Sequence, residues 1–118
     1  MSEMSKKDIN SVAMEVILEA GNGGDLINKA LLEFSKFDFA KADDLLNEAS
    51  QNIIKAHNAQ TEMIQSQASG TNVEYSLLFI HAQDTLMTIK SKLDLVKGIE
   101  PTIRNLWERE RKNENNKQ

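Results

Sequence analysis

The chain has no cysteine among its 118 residues. Disulfides, thiol nucleophiles and thiolate metal sites are therefore excluded, and the composition fits a reducing compartment. Proline occurs once, at Pro101, and glycine five times, with three of the five at Gly21, Gly23 and Gly24. A chain so poor in breakers and turn formers has little means of making many short elements, which argues for a few long helices. No charge sign dominates: 14 basic residues stand against 18 acidic ones, for a net charge of -4. The only basic cluster (Arg104, Arg109, Arg111, Lys112) is interrupted by Glu108, Glu110 and Glu114, so a nucleic-acid surface finds no support. Long apolar runs are missing too. Nothing approaches the roughly 20 residues that span a bilayer, and residues 1–10 lack the apolar core of a secretory signal. These absences lead us to expect one cytoplasmic domain with no nucleic-acid partner and no membrane insertion.

What is present is helical periodicity. Ile9, Val12, Ala13, Val16, Ala20, Gly24, Ile27, Leu31 and Phe34 fall on one stripe over about 7–36. The stripe keeps its phase across the glycines, which favours one helix with a weak middle over two helices and a hinge. Glycine in a helix costs about 1 kcal/mol against alanine, so three of them suggest that another backbone or a ligand approaches closely. Asp38 is a candidate N-cap for a second helix over 39–68. There Ala42, Leu46, Ala49, Ile53, Ala56, Gln60, Met63 and Gln67 repeat at alternating four and three, a coiled-coil-like seam. Residues 69–72 (SGTN) read as a turn. A third helix is expected over 73–100, with Leu78, Ala82, Leu86, Ile89, Leu93 and Val96 on its core stripe. Gly98 and Pro101 should kink or end it. Residues 104–118 then read as a polar C-terminal extension, helical around Leu106 and Trp107 before fraying. The sum is an all-α, antiparallel up-down-up three-helix bundle in residues 1–103.

The third helix carries more than one apolar face needs. Leu77, His81, Asp84, Thr88 and Leu95 form a second face, which we place roughly 90° from the core stripe. Such a face calls for a partner, a metal or a reaction. Neutral imidazole at His81 is a nucleophile, a proton carrier or a metal ligand. A carboxylate at Asp84 among apolar neighbours must be solvated, paired, or neutralised by an ion shared between symmetry copies, and oxygen donors suit a hard ion such as magnesium. His81 and Asp84 at i, i+3 also match half of a zinc site, with His57 or a carboxylate as the only available third ligand, but no HExxH motif is present. The residues alone leave packing, a partner, metal binding and a catalytic reaction open.

Four stretches narrow the choice: residues 15–21 (EVILEAG), 38–46 (DFAKADDLL), 48–61 (EASQNIIKAHNAQT) and 81–88 (HAQDTLMT). They resemble the IIA component of the lactose/cellobiose-type sugar phosphotransferase system, a family that also covers diacetylchitobiose, over roughly residues 12–95. The resemblance implies a cytoplasmic homotrimer of three-helix subunits. It implies that His81 accepts a phosphoryl group from the phosphocarrier HPr and passes it to a cysteine of the cognate IIB component. Asp84 would lie near the threefold axis, where three copies bind one divalent ion, usually Mg2+. Gln83, Gln60 and His57 are candidate neighbours of the phosphate, and the Gly21 region could bring the first helix close to the site. The alternative is a non-catalytic helical interaction or regulatory module derived from the same family. The sequence departs from the family where members often have a second histidine in the motif, here Thr85, and where many have Ala-Arg, here Gly23-Gly24.

Overall fold

Three long helices account for the fold of this computed structural model, which describes residues 6–68 and 76–117. α1 spans Lys6–Ser35, α2 Phe39–Ala68 and α3 Leu77–Asn116. Their up-down-up order gives a rod of 74 × 20 × 19 Å. The expected turn at 69–72 and the expected start of the third helix at Val73 lie outside the described residues. Within them, α3 opens at Leu77 behind the cap residue Ser76.

The core follows the helical stripes. Ile9, Ala13, Val16, Ala20, Ile27 and Phe34 of α1 are buried. So are Ala42, Leu46, Ala49, Ile53, Ala56, Gln60 and Met63 of α2, the alternating seam. α3 contributes Ala82, Leu86, Leu93 and Val96. Large residues without solvent contact, such as Ile27, Leu46 and Leu86, each stabilise the fold by about 1.5–3 kcal/mol. The alanines let the helix axes come close. One position departs from expectation: Leu31 is largely exposed, and Ala30 takes its place in the core.

α1 is one uninterrupted helix through its glycines. A Cβ on Gly23 would stand 3.3 Å from the Ile53 side chain and 3.4 Å from the Ala49 carbonyl of α2; one on Gly24 would stand 3.1 Å from Ile89 of α3. Close approach therefore explains these two glycines, whereas Gly21 faces open space.

The α1–α2 connection is tight. The Asp38 amide donates to the Glu33 carbonyl at 3.0 Å and the Phe37 amide to the Phe34 carbonyl at 2.9 Å, the pair of bonds that closes a helix on a left-handed residue. Phe37 supplies that residue, with φ 58°, at a cost of about 1–2 kcal/mol for a residue with a Cβ. Asp38 then caps α2, its Oδ1 accepting from the Lys41 amide at 3.1 Å.

The expectation that the third helix would end at Gly98 and Pro101 is corrected. α3 continues through Pro101 to Asn116, so the extension from residue 104 is the same helix. Proline inside a helix costs about 3 kcal/mol, and tertiary contacts on both sides of it offset that cost. Lys97 donates to Ser50 Oγ at 2.7 Å. Beyond the proline, Arg104 bridges Asp43 (3.2 Å) and Glu100 (2.7 Å) and lies over the Phe39 ring. Trp107 stacks on Phe37, centroids 5.9 Å apart, and meets Phe39 edge-on at 5.5 Å. Arg111 covers Trp107 in turn.

Candidate functional site

The site is built at the start of α3, and Ser76 determines where that start lies. Its backbone is extended, and its hydroxyl accepts from the Phe79 amide at 3.1 Å while donating to Asn10 Oδ1 of α1 at 2.7 Å. One side chain thus caps α3 and ties it to α1. The signal was present in the sequence, a serine immediately before an apolar helical stripe, but an expected start at Val73 obscured it.

His81 follows in the second turn, exposed, with no hydrogen bond to its ring among the described residues. Asp84 is exposed one turn later and is likewise without an ion pair. Two threonines bond back to the carbonyls of these residues: Thr85 Oγ1 donates to His81 O at 2.9 Å, and Thr88 Oγ1 to Asp84 O at 2.8 Å. Behind them Ala82 and Leu86 are fully buried, so the turn has a rigid back and a free front.

The second face of α3 lies farther round than a quarter turn. Ala82 and Asp84 are two residues apart, a rotation of about 200° on a helix, so the Asp84 face is nearly opposite the core. Leu77 (69% exposed) and Leu95 (63% exposed) stand on it in solvent, with Ile80 and Met87 close by. An apolar stripe of this length turned away from its own bundle marks an interaction surface. Asp84 sits in its middle.

Gly23 packs on Ala49 and Ile53 of α2 and Gly24 on Ile89 of α3, so by antiparallel register α2 passes His81 near residues 57–61. No hydrogen bond joins His57, Gln60 or Gln83 to the His81 ring among the described residues. Gln60 is buried in the α2 seam, with its Oε1 lacking a hydrogen-bond partner, while His57 is exposed. Gln83 is half-buried, and residues at i, i+2 do not face one another on a helix. Gly24 of α1 packs at Ile89 and Gly23 against α2; Ile89 lies eight residues and about 12 Å beyond His81. Their close approach belongs to the core.

Among the described residues no group of three or more histidine, aspartate or glutamate side chains could hold a metal ion within one subunit, and no helix is long and apolar enough to cross a membrane. An apolar groove of about 510 Å³ beside Phe37, Leu106 and Trp107 lies at the far end of α3, away from His81.

Comparison with known proteins gives this arrangement a context. Residues 11–102 match the family described as PTS system, Lactose/Cellobiose specific IIA subunit. The lactose-specific EIIA component of Staphylococcus aureus (strain N315) is 35% identical over 96 residues, covering 81% of this chain and 93% of that protein. The lichenan-specific phosphotransferase enzyme IIA component of Bacillus subtilis (strain 168) is 33% identical over 93 residues, covering 79% and 84%. Among solved structures, PtcA from S. mutans superposes with a TM-score of 0.83 at 30% identity, over 86% of this chain and 99% of that one. The PTS cellobiose-specific enzyme IIA from Bacillus anthracis superposes with a TM-score of 0.78 at 33% identity, over 87% and 93%.

Proposed function

Because this chain belongs to the lactose/cellobiose-specific IIA subunit family of the phosphotransferase system, we propose that it is a phosphohistidine carrier. His81 accepts a phosphoryl group from HPr and donates it to the cognate IIB component during uptake of a lactose-, cellobiose- or chitobiose-type sugar. The observation that carries this reading is the imidazole itself: exposed, without a ring partner among the described residues, on a helical turn packed from behind by Ala82 and Leu86. A group that must meet two different proteins in succession has to be reachable from solvent. Positioning and electrostatics supply most of the catalysis in phosphoryl transfer, and the helix meets the first demand by fixing the ring's base. The cytoplasm is the compartment in which HPr and IIB would reach it.

The assembly belongs to the same reading. One subunit offers a single carboxylate at Asp84 on an exposed apolar stripe, and no multi-ligand cluster among the described residues. Three copies brought together along that stripe would bury its leucines and juxtapose three carboxylates, whose repulsion favours a divalent ion. Oxygen donors of this kind fit Mg2+. The ion would hold subunits together by neutralising Asp84, and no part of the transfer chemistry is assigned to it.

Incubation with phosphoenolpyruvate, enzyme I and HPr is expected to add one acid-labile phosphate to the wild type and none to His81→Ala, with onward transfer to a matched IIB. Equal labelling of both proteins, or none of the wild type, would sink the carrier reading and favour a non-catalytic module. Sedimentation should give a homotrimer that chelator weakens, with Asp84→Asn insensitive to chelator.

A further inference from the structure

We propose that the hydroxyl of Thr85 is a ligand of the phosphoryl group carried on His81, reaching it by leaving the His81 carbonyl. The inference rests on the carrier reading above. Thr85 lies one turn after His81 on the same face, where Cβ atoms are about 5–6 Å apart. Helical side chains lean towards the N-terminus, which carries the Thr85 hydroxyl back over the His81 turn, and it is found there, donating to His81 O at 2.9 Å. That carbonyl is also the regular helical acceptor for the residue 85 amide. The hydroxyl bond is therefore additional, and its departure leaves no orphaned acceptor. Threonine in a helix divides between two χ1 rotamers because of this back-bond, so a second position is open to it.

The phosphoryl group decides which position is occupied. In the transfer, the lone pair of the unprotonated His81 ring nitrogen forms the new N–P bond. The bond from phosphorus to the donor's ring nitrogen breaks, its electron pair returning to that ring. The proton on the other His81 nitrogen stays in place, and nothing is oxidised or reduced. Three anionic oxygens now stand over the turn, and a hydrogen bond to a charged acceptor is roughly twice as strong as one to a neutral carbonyl. The hydroxyl keeps its own proton throughout and contributes one donor.

The test compares the full-length wild type with Thr85→Val, which keeps the shape and loses the donor, and Thr85→Ser, which keeps the donor. Each is brought to phosphoryl-exchange equilibrium with HPr and examined by 31P NMR. Thr85→Val is expected to shift the equilibrium against His81 by about tenfold, the usual scale for a hydrogen bond to a charged group, and to move the phosphohistidine resonance. Thr85→Ser should restore both, with coincident thermal melts throughout. Should the valine variant fold poorly, Thr85→Ala takes its place in the same comparison. A phosphorylated wild type whose valine or alanine variant matches it in equilibrium and resonance, or whose serine variant behaves like valine, overturns the role of Thr85 and leaves the carrier reading standing. A wild type that accepts no phosphate overturns both.

Discussion

The two ends of α3 satisfy their polar groups in opposite ways. Near Ser76, the His81 ring and the Asp84 carboxylate have no side-chain partner among the described residues. At the far end, about 39 Å from His81 along the helix, Arg104 is engaged by two carboxylates and a ring, and Trp107 by Phe37, Phe39 and Arg111. The aromatic end spends its chemistry on holding the chain together. The histidine end leaves its chemistry unused by the subunit, hence available to something else. Helix α3 joins them, and the buried row of Ala82, Leu86, Leu93 and Val96 lets the histidine end be rigid without being tied.

The sharpest way to break this contrast is at His81. His81→Ala is expected to abolish phosphoryl acceptance while leaving the melting temperature nearly unchanged, since exposed substitutions typically stay within about 0.5 kcal/mol; mass spectrometry and a thermal melt read the two effects. A large loss of stability would mean that the ring is structural after all.

Trp107→Ala should do the converse. Loss of its stacked and edge contacts is expected to cost about 2–3 kcal/mol in urea unfolding, below the range for a fully buried aromatic because Trp107 is only half-buried. Phosphoryl acceptance per folded molecule should be unaffected. Impaired acceptance would show the two ends to be coupled.

The glycines of α1 sharpen the comparison in the middle of the rod. Gly21→Ala meets nothing within 4 Å and should stabilise the helix by about 1 kcal/mol. Gly24→Ala should gain less, because its Cβ comes within 3.1 Å of the flexible end of Ile89. Gly23→Ala should also gain less than Gly21→Ala, because its Cβ comes within 3.3 Å of Ile53 Cγ1. Calorimetry of the three variants checks the order.

The smallest effect is expected at Glu100. Burial first, then its hydrogen bond with and the charge of Asp43, raise its carboxyl above the usual 4.5, and Arg104 only partly opposes this. A carboxyl raised in the folded state binds its proton more tightly than in the unfolded chain. Its contribution to stability therefore falls as pH rises from 4.5 through the raised value. Glu100→Gln should flatten that slope in melts taken between pH 4 and 7, and an unchanged slope would place its origin elsewhere.

Much of this molecule was legible before folding. Asp38 as a cap, the α2 seam from Ala42 to Met63 and one continuous α1 all follow from local rules, because a helix's period and its ends are written in neighbouring residues. Other features were not. Pro101 reads locally as a stop, and α3 passes it because residues 43, 50 and 39, far away in sequence, hold both flanks. Phe37 occupies a left-handed position that favours glycine, and its ring contact with Trp107 is the compensation. Gln60 and His57 share a motif with one another, yet Gln60 is buried in the α2 seam and His57 is exposed, a difference set by which helices lie against α2. The 200° between Ala82 and Asp84 is simple arithmetic, but only the packed bundle shows that the Asp84 face is left uncovered by the described residues.

By itself, then, the sequence determined which residues could carry the chemistry and that they would ride on helices, since residue type and helical period are local properties. Tertiary structure alone decided which were freed and which were committed: His81 and Asp84 left unpartnered among the described residues at one end, Arg104 and Trp107 consumed at the other. That choice depends on which helices lie opposite one another and at what register, and contacts between residues tens of positions apart set both.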